Sequence, residues 1–203
     1  MATHQLPSDH SISPDDSADD SLAGSMLVAM PGIGDPRFDR SVIYIFAHQE
    51  SGAMGLIVNQ STRDIEFADL LSQLELELPE GVDAPPVRIG GPVETERGFV
   101  LHSPDYHREE ATLKVDENIS MTATVDVLHA IASGEGPDQA LFALGYAGWG
   151  PGQLEEEILS NGWLQCDADR DLVFGDADSD KWADALRKIG VDPSQLSAAA
   201  GSA

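Results

Sequence analysis

Short apolar runs, each ended by turn residues, characterise much of the chain's first half. Five such runs predict buried β-strands, at residues 26–30, 41–46, 55–59, 87–91 and 98–102. Pro31-Gly32 follows the first run, and this dipeptide is typical of a turn. Residues 92–97 are expected to connect the last two strands.

Apolar residues take the spacing of helices in four other segments. These predicted helices span residues 64–74, 124–133, 154–160 and 180–189. Ile65, Leu70 and Leu74 lie on one side of the first, and Gly134 and Gly190 follow the second and fourth in the usual closing position. Short strands are expected at 140–146, 163–166 and 172–174, the first leading into a glycine-rich loop. Strands and helices without regular alternation predict an α+β fold.

The chain divides into an acidic tail and one domain. Residues 1–21 hold five Asp and no Lys or Arg, a composition that predicts disorder. Residues 22–203 are predicted to form a single domain. No apolar run reaches the roughly 18 residues of a membrane span, and no secretion signal is recognisable. Because Cys166 is also the only cysteine, a cytoplasmic location is expected.

The net charge of −25 comes from 36 acidic residues against 11 basic ones. Such a charge repels phosphate backbones and therefore disfavours direct nucleic-acid binding. Only three of the basic residues are Lys. A lysine-poor acidic surface remains soluble where high salt screens its self-repulsion, so the composition predicts a salt-adapted protein from a marine or halophilic bacterium.

Residues 144–164 combine five glycines with Trp149 and Trp163. Glycines before a helix suit phosphate binding, but Glu155–Glu157 already fill the helix start, and no Lys or Arg occurs between Lys114 and Arg170. The P-loop and dinucleotide-binding motifs are also missing. We therefore predict structural glycines that let the backbone pass close to the tryptophans, and no cofactor.

Six segments in order resemble the YqgE/AlgH family of bacterial proteins. They are residues 27–31, 38–44, 52–59, 90–93, 97–102 and 144–164, which together extend over roughly residues 22–203. The resemblance implies a bifurcated or barrel-like, mostly antiparallel sheet surrounded by helices. Family members are often labelled transcriptional regulators through an association with alginate control, and they offer no accepted catalytic set.

Four residues are candidates for ligand binding. Arg40 and Arg97 suit an anion, although an ion pair with Asp39, Glu94 or Glu96 is the favoured alternative. His48 and His102 follow strands, where a satisfied polar role is favoured over catalysis. If all four converge on one cleft, an enzyme becomes the better interpretation.

Two further patterns are interpreted as structural. Met54, Trp149 and Trp163 fit either a small apolar pocket or the core, and the core is favoured. Alternating Asp residues at 167–171 and 176–180 resemble the start of a calcium loop but lack its Gly and Glu, so no metal site is predicted.

The leading hypothesis is a non-enzymatic regulatory protein that binds a protein partner or a small ligand. The alternative is an enzyme with an unrecognised site near Arg40, Arg97, His48 and His102.

Overall fold

The computed structural model of the protein describes residues 21–62, 65–175 and 178–196. Apart from Ser21, the predicted disordered tail (residues 1–21) lies outside these ranges. Within them, no helix has both the length and the apolar character needed to cross a membrane.

Nine strands of the described residues form one curled sheet. The strands are β1 (Ser25–Ala29), β2 (Val42–Gln49), β3 (Gly52–Ile57), β4 (Val87–Ile89), β5 (Val93–His102), β6 (Thr112–Lys114), β7 (Ser120–Thr122), β8 (Ala140–Trp149) and β9 (Trp163–Asp167). Their order is β6-β7-β5-β8-β3-β2-β1-β9, with antiparallel neighbours throughout, while β4 pairs with β8 in parallel.

The sheet bifurcates along β8. Phe142 and Leu144 in its first half pair with both β4 and β5, whereas Ala147 and Trp149 in its second half pair with β3. Between the halves, Gly145 has φ of +71°. A Cβ at this position would lie 2.5 Å from the carbonyl oxygen of Gly91, so glycine is required there for both conformation and space.

Five α-helices of the described chain pack on this sheet. They are α1 (Phe67–Gln73), α2 (Asp126–Ser133), α3 (Gln153–Leu159), α4 (Arg170–Phe174) and α5 (Asp178–Lys188). Helices α1 and α2 pack on β5 and the first half of β8. Helix α3 packs on one face of β1 to β3, and α4 and α5 pack on the opposite face of β1 and β2. The predicted α+β fold with a bifurcated sheet is therefore confirmed.

Alternation along each strand distributes side chains between separate core clusters. In β1, Met26 and Val28 face the cluster that α4 and α5 close, whereas Leu27 and Ala29 face α3. Cys166 is buried in the first of these clusters, as expected for a structural thiol.

Three local expectations are wrong. Residues 172–174 belong to helix α4 instead of a strand, because the Asp169 side chain accepts the N–H of Leu172 and caps a helix. The expected glycine loop after residue 146 is a continuation of β8, since strand partners are available for Ala147 to Trp149. Residues 93–97, expected as a connection, belong to β5, which is irregular between Val93 and Gly98.

Candidate functional site

A cavity of about 600 Å³ lies where β8, α3 and β9 meet the segment 30–38. We call it the indole cavity. Its lining includes Phe38, Val93, Trp149, Glu157, Asn161 and Trp163. Volumes of this order are typical of small-molecule sites.

Glu157 links the two tryptophans of the indole cavity. Its Oε2 accepts the indole N–H of Trp149 at 3.0 Å and that of Trp163 at 2.7 Å. Its Oε1 accepts the Gln153 side-chain amide at 2.8 Å. Gln153 and Glu157 are one helical turn apart on α3, so they present their side chains to the same side. Three donors thereby fix the carboxylate in the cavity wall.

Aromatic packing orders the rest of that wall. Trp149 ends β8 and Trp163 begins β9, and their rings meet edge to face at 5.9 Å. Phe38, from the 3₁₀ turn Pro36–Phe38, packs edge to face on Trp163 at 5.6 Å. Both indoles are buried, so these tryptophans belong to the core and line the cavity as well. Met54 is partly buried and packs against the opposite core cluster.

Glycines near the tryptophans permit close backbone contact. A Cβ on Gly52 would lie 2.1 Å from the carbonyl oxygen of Trp149, and one on Gly162 would lie 3.1 Å from that of Glu157. Of the two, only Gly162 belongs to the glycine-rich segment 144–164, and its close contact agrees with the structural role predicted for that segment.

Arg37 is the basic residue of the cavity lining, and it is already paired. Its Nε donates to both oxygens of Asp35 at 3.0 Å. The Arg37 hydrogen bonds hold the pKa of Asp35 below its usual value.

Arg40 and Arg97 occupy different environments. Arg40 precedes β2 with φ of +50°, and its guanidinium lies 5.4 Å from the centre of the Trp182 ring. Arg97 pairs with Glu94 at 3.0 Å and lies 5.0 Å from the centre of the Phe99 ring. The expected ion pair is thus present for Arg97. For Arg40, none is formed with the described residues.

His48 joins β2 to the start of α3. Its Nδ1 accepts the backbone N–H of Leu22 at 3.0 Å, so its Nε2 carries the proton that is donated to Glu155 at 2.7 Å. The pKa of Glu155 is lowered, first by its own backbone N–H and also by His48.

His102 is completely buried at the end of β5. Its Nδ1 lies 2.8 Å from the Ser103 carbonyl oxygen, which only accepts, so Nδ1 carries the proton and Nε2 accepts the Thr122 hydroxyl at 2.9 Å. Burial lowers the pKa of His102. The Ser103 hydroxyl donates to the Gln139 carbonyl. His102 and Ser103 therefore do not form the hydroxyl–imidazole hydrogen bond that nucleophilic catalysis uses.

The four candidates do not share one cleft. Arg97 and His102 are five residues apart on β5, a separation of about 16 Å in an extended strand. Arg40 lies before the start of β2 and His48 near its end, and the strand between them is about 20 Å long. The convergence on which the enzyme alternative depended is therefore not observed for these residues.

Two polar clusters were not anticipated from the sequence. Glu157 was interpreted as one of three acidic residues that favour a helix start, whereas Glu155 contacts His48 and Glu157 contacts both indoles. The four-residue spacing of Gln153 and Glu157 is the feature of the sequence that could have indicated their contact on one side of a helix. Arg88, which is not among the four candidates, is buried and pairs with Asp178 at 2.8 Å.

Comparison with known proteins identifies relatives over nearly the whole chain. The AlgH-like family model matches residues 26–194. A UPF0301 protein of Bradyrhizobium diazoefficiens is 57% identical over 90% of this chain and 88% of its own length. One from Methylobacterium sp. is 52% identical over the full length of both chains.

Solved structures agree with these matches. The solution structure of the AlgH protein from Pseudomonas aeruginosa has a TM-score of 0.73 and 41% identity, and it covers 92% of this chain and 98% of the other. A Corynebacterium diphtheriae protein has a TM-score of 0.65 at 23% identity, which indicates a shared fold.

Proposed function

The chain belongs to the AlgH-like family, and we propose that it is a non-enzymatic bacterial regulatory protein that binds a protein partner or a small ligand in the indole cavity. The observation that carries the proposal is the fixed carboxylate of Glu157 within an aromatic-lined cavity of about 600 Å³. Binding to groups that are already ordered costs less conformational entropy.

The cavity also joins segments that are distant in sequence. Its walls come from residues 30–38, the start of β5, the end of β8, and α3 with the residues that follow it. A ligand seated there contacts several elements at once, so its binding favours their present arrangement over others. This is the property expected of a protein that signals by binding.

Regulation through a partner fits the charge better than direct contact with DNA. The net charge of −25 opposes a phosphate backbone, and the described helices lack the run of basic residues expected of a recognition helix. An electrophoretic mobility shift at moderate salt tests this part of the proposal. No sequence-selective complex is expected, and a tight selective one would contradict it.

The proposed setting is the cytoplasm of a salt-adapted bacterium. The lone Cys166 suits a reducing compartment, and the acidic, lysine-poor composition suits high ionic strength.

Site-specific photo-crosslinking tests the cavity as the binding site. Gly34 lines the cavity, and a Cβ added there meets no atom within 4 Å, so Gly34→Cys provides an attachment point for a benzophenone maleimide. Cys166 is buried and its thiol pKa is raised by burial, so the label goes to position 34. Glu109→Cys, on the exposed surface, is the matched control.

In extract from the native host, we expect a discrete adduct from position 34 that is missing from position 109. Excess unlabelled wild-type protein should suppress this adduct because it competes for the same ligand. Mass spectrometry then shows whether the adduct is a protein or a small molecule. Identical adduct patterns from the two positions would contradict the proposed site.

A further inference from the structure

We infer that the indole cavity takes a cationic group, either an ammonium or a guanidinium, and that Glu157 is its counter-charge. This inference rests on the proposed function, because it names the chemical class of the ligand bound in the same cavity. Three features of the cavity support it: the hydrogen-bonding capacity of Glu157, the local charge balance and the nature of the walls.

Glu157 has acceptor capacity left. A carboxylate offers about four acceptor positions. Oε2 is occupied by the two indole N–H groups, whereas Oε1 accepts the Gln153 amide. One acceptor position of Oε1 therefore remains for a donor that enters the cavity.

The charge of Glu157 is not balanced by the described residues. None of their Lys, Arg or His side chains lies within ion-pair distance of it. Arg37 lines the same cavity but is neutralised by Asp35. The cavity thus has a net negative charge in a chain of charge −25, and both attract cations.

The walls around the carboxylate strengthen its attraction for a cation. Phe38, Val93 and Trp149 present apolar surface to the cavity. An ion pair is stronger where less water screens it, and aromatic rings add a favourable interaction with a cation near their faces. An anionic ligand would instead be repelled by Glu157, and Arg37 could not offset this repulsion because it is already paired with Asp35.

Two sources supply such a group. One is a small organic amine, and the other is an Arg or Lys side chain of a protein partner. The volume of about 600 Å³ admits either.

Isothermal titration calorimetry of the full chain at low salt tests the inference with three probes. Agmatine represents a small guanidinium compound, and acetyl-Gly-Arg-Gly-amide represents a protein side chain. The same peptide with citrulline in place of arginine is the neutral isostere. We expect at least one cationic probe to bind at least tenfold more tightly than the citrulline peptide, and its affinity to fall as salt is added.

Glu157→Gln should lower the affinity for the preferred cationic probe at least tenfold. The substitution removes the negative charge but retains a side-chain oxygen that accepts the indole N–H groups. Glu156→Gln is the matched control, since it removes the same charge from an exposed position of the same helix. We expect it to change the affinity less than twofold. Circular dichroism of both variants verifies that they are folded.

The outcomes separate this inference from the proposed function. Equal binding of the arginine and citrulline peptides, or equal losses in the two Gln variants, would overturn the cationic ligand. So would failure of both cationic probes to bind. In each of these cases, an adduct specific to position 34 would still support the cavity as the binding site.

Discussion

The carboxylate of Glu157 accepts the indole N–H of Trp163 at 2.7 Å and thereby ties helix α3 to the first residue of β9. The same oxygen accepts the Trp149 indole at the end of β8. One acidic side chain on α3 therefore joins this helix to two strands of the sheet, β8 and β9.

Replacing this carboxylate should destabilise the fold. Glu157→Ala leaves two buried indole N–H groups without their acceptor, and we expect the free energy of unfolding to fall by about 2 kcal/mol. Glu156→Ala, on the exposed side of α3, should change it by less than about 0.5 kcal/mol. Urea unfolding followed by circular dichroism measures both. Equal effects would show that the indole contacts contribute little.

The buried ion pair of Arg88 and Asp178 should contribute far more than a surface pair. Their side chains are 6% and 17% exposed, respectively, and Asp178 also accepts the Ser61 hydroxyl. Asp178→Asn leaves Arg88 with no full counter-charge and also removes the charged contact with Lys181 at 3.6 Å, so we expect the free energy of unfolding to fall by about 3 kcal/mol. Asp184→Asn breaks the exposed pair with Arg187 and should cost less than about 0.5 kcal/mol. Chemical denaturation of the two variants compares them directly, and similar midpoints would refute the prediction.

His102 should make stability depend on pH below neutrality. Burial holds its pKa below the ordinary value of 6.5, so the folded state binds fewer protons at this site than the unfolded state. Its contribution is fully present above pH 6.5 and is lost as the pH falls, by at most about 1.4 kcal/mol per pH unit. His102→Gln should remove this component while other titrating groups remain. The stability difference between wild type and variant should therefore shrink from pH 7 to pH 5, and a constant difference would contradict the assignment.

Two glycines separate backbone strain from lack of space. Gly145 and Gly152 both have φ of +71°, but a Cβ at Gly145 lies 2.5 Å from a carbonyl oxygen, whereas one at Gly152 has no atom within 4 Å. Gly152→Ala should lower the free energy of unfolding by about 1 kcal/mol, because alanine is strained at this positive φ. Gly145→Ala adds a steric clash at the point where the sheet bifurcates, so its cost should be clearly larger. Thermal unfolding ranks the two variants, and equal costs would be evidence against the close contact.

The acidic surface should make stability rise with salt. Screening reduces the mutual repulsion of the 36 acidic residues, so the melting temperature should increase between low salt and molar sodium chloride. Differential scanning fluorimetry follows this change. A flat or falling melting temperature would count against salt adaptation.

The sequence predicted those elements whose hydrophobic pattern is strong. The apolar runs at 26–30, 41–46 and 55–59 coincide with most of β1, most of β2 and the second half of β3. Gly134 and Gly190 adopt the positive φ expected at helix ends. Strands β6 and β7 have three residues each and carry polar side chains, so their pattern was too short to detect. The strand predicted at residues 172–174 is wrong because three consecutive apolar residues fit a strand and a helical turn equally well.

The candidate site was harder to predict because it depends on contacts between distant segments. Trp149 and Trp163 were singled out as a possible pocket, but their shared partner Glu157 was interpreted only by its position in a helix. The ion pair of Arg88 and Asp178 is equally hard to predict, because it joins β4 to the start of α5, which are far apart in sequence. Hydrophobic periodicity records which face is buried, and it does not record which polar groups meet there.

The pairing of β1 with β9 has a consequence for synthesis of the chain. Ser25 lies opposite Asp167 and Ala29 opposite Trp163, so one edge of β1 has its partner only when most of the polypeptide has been made. Until then, the nascent chain exposes an apolar strand with unpaired backbone groups, the kind of surface that attracts chaperones or promotes aggregation. A ribosome that stalls before residue 163 would therefore release a product unable to complete its own sheet.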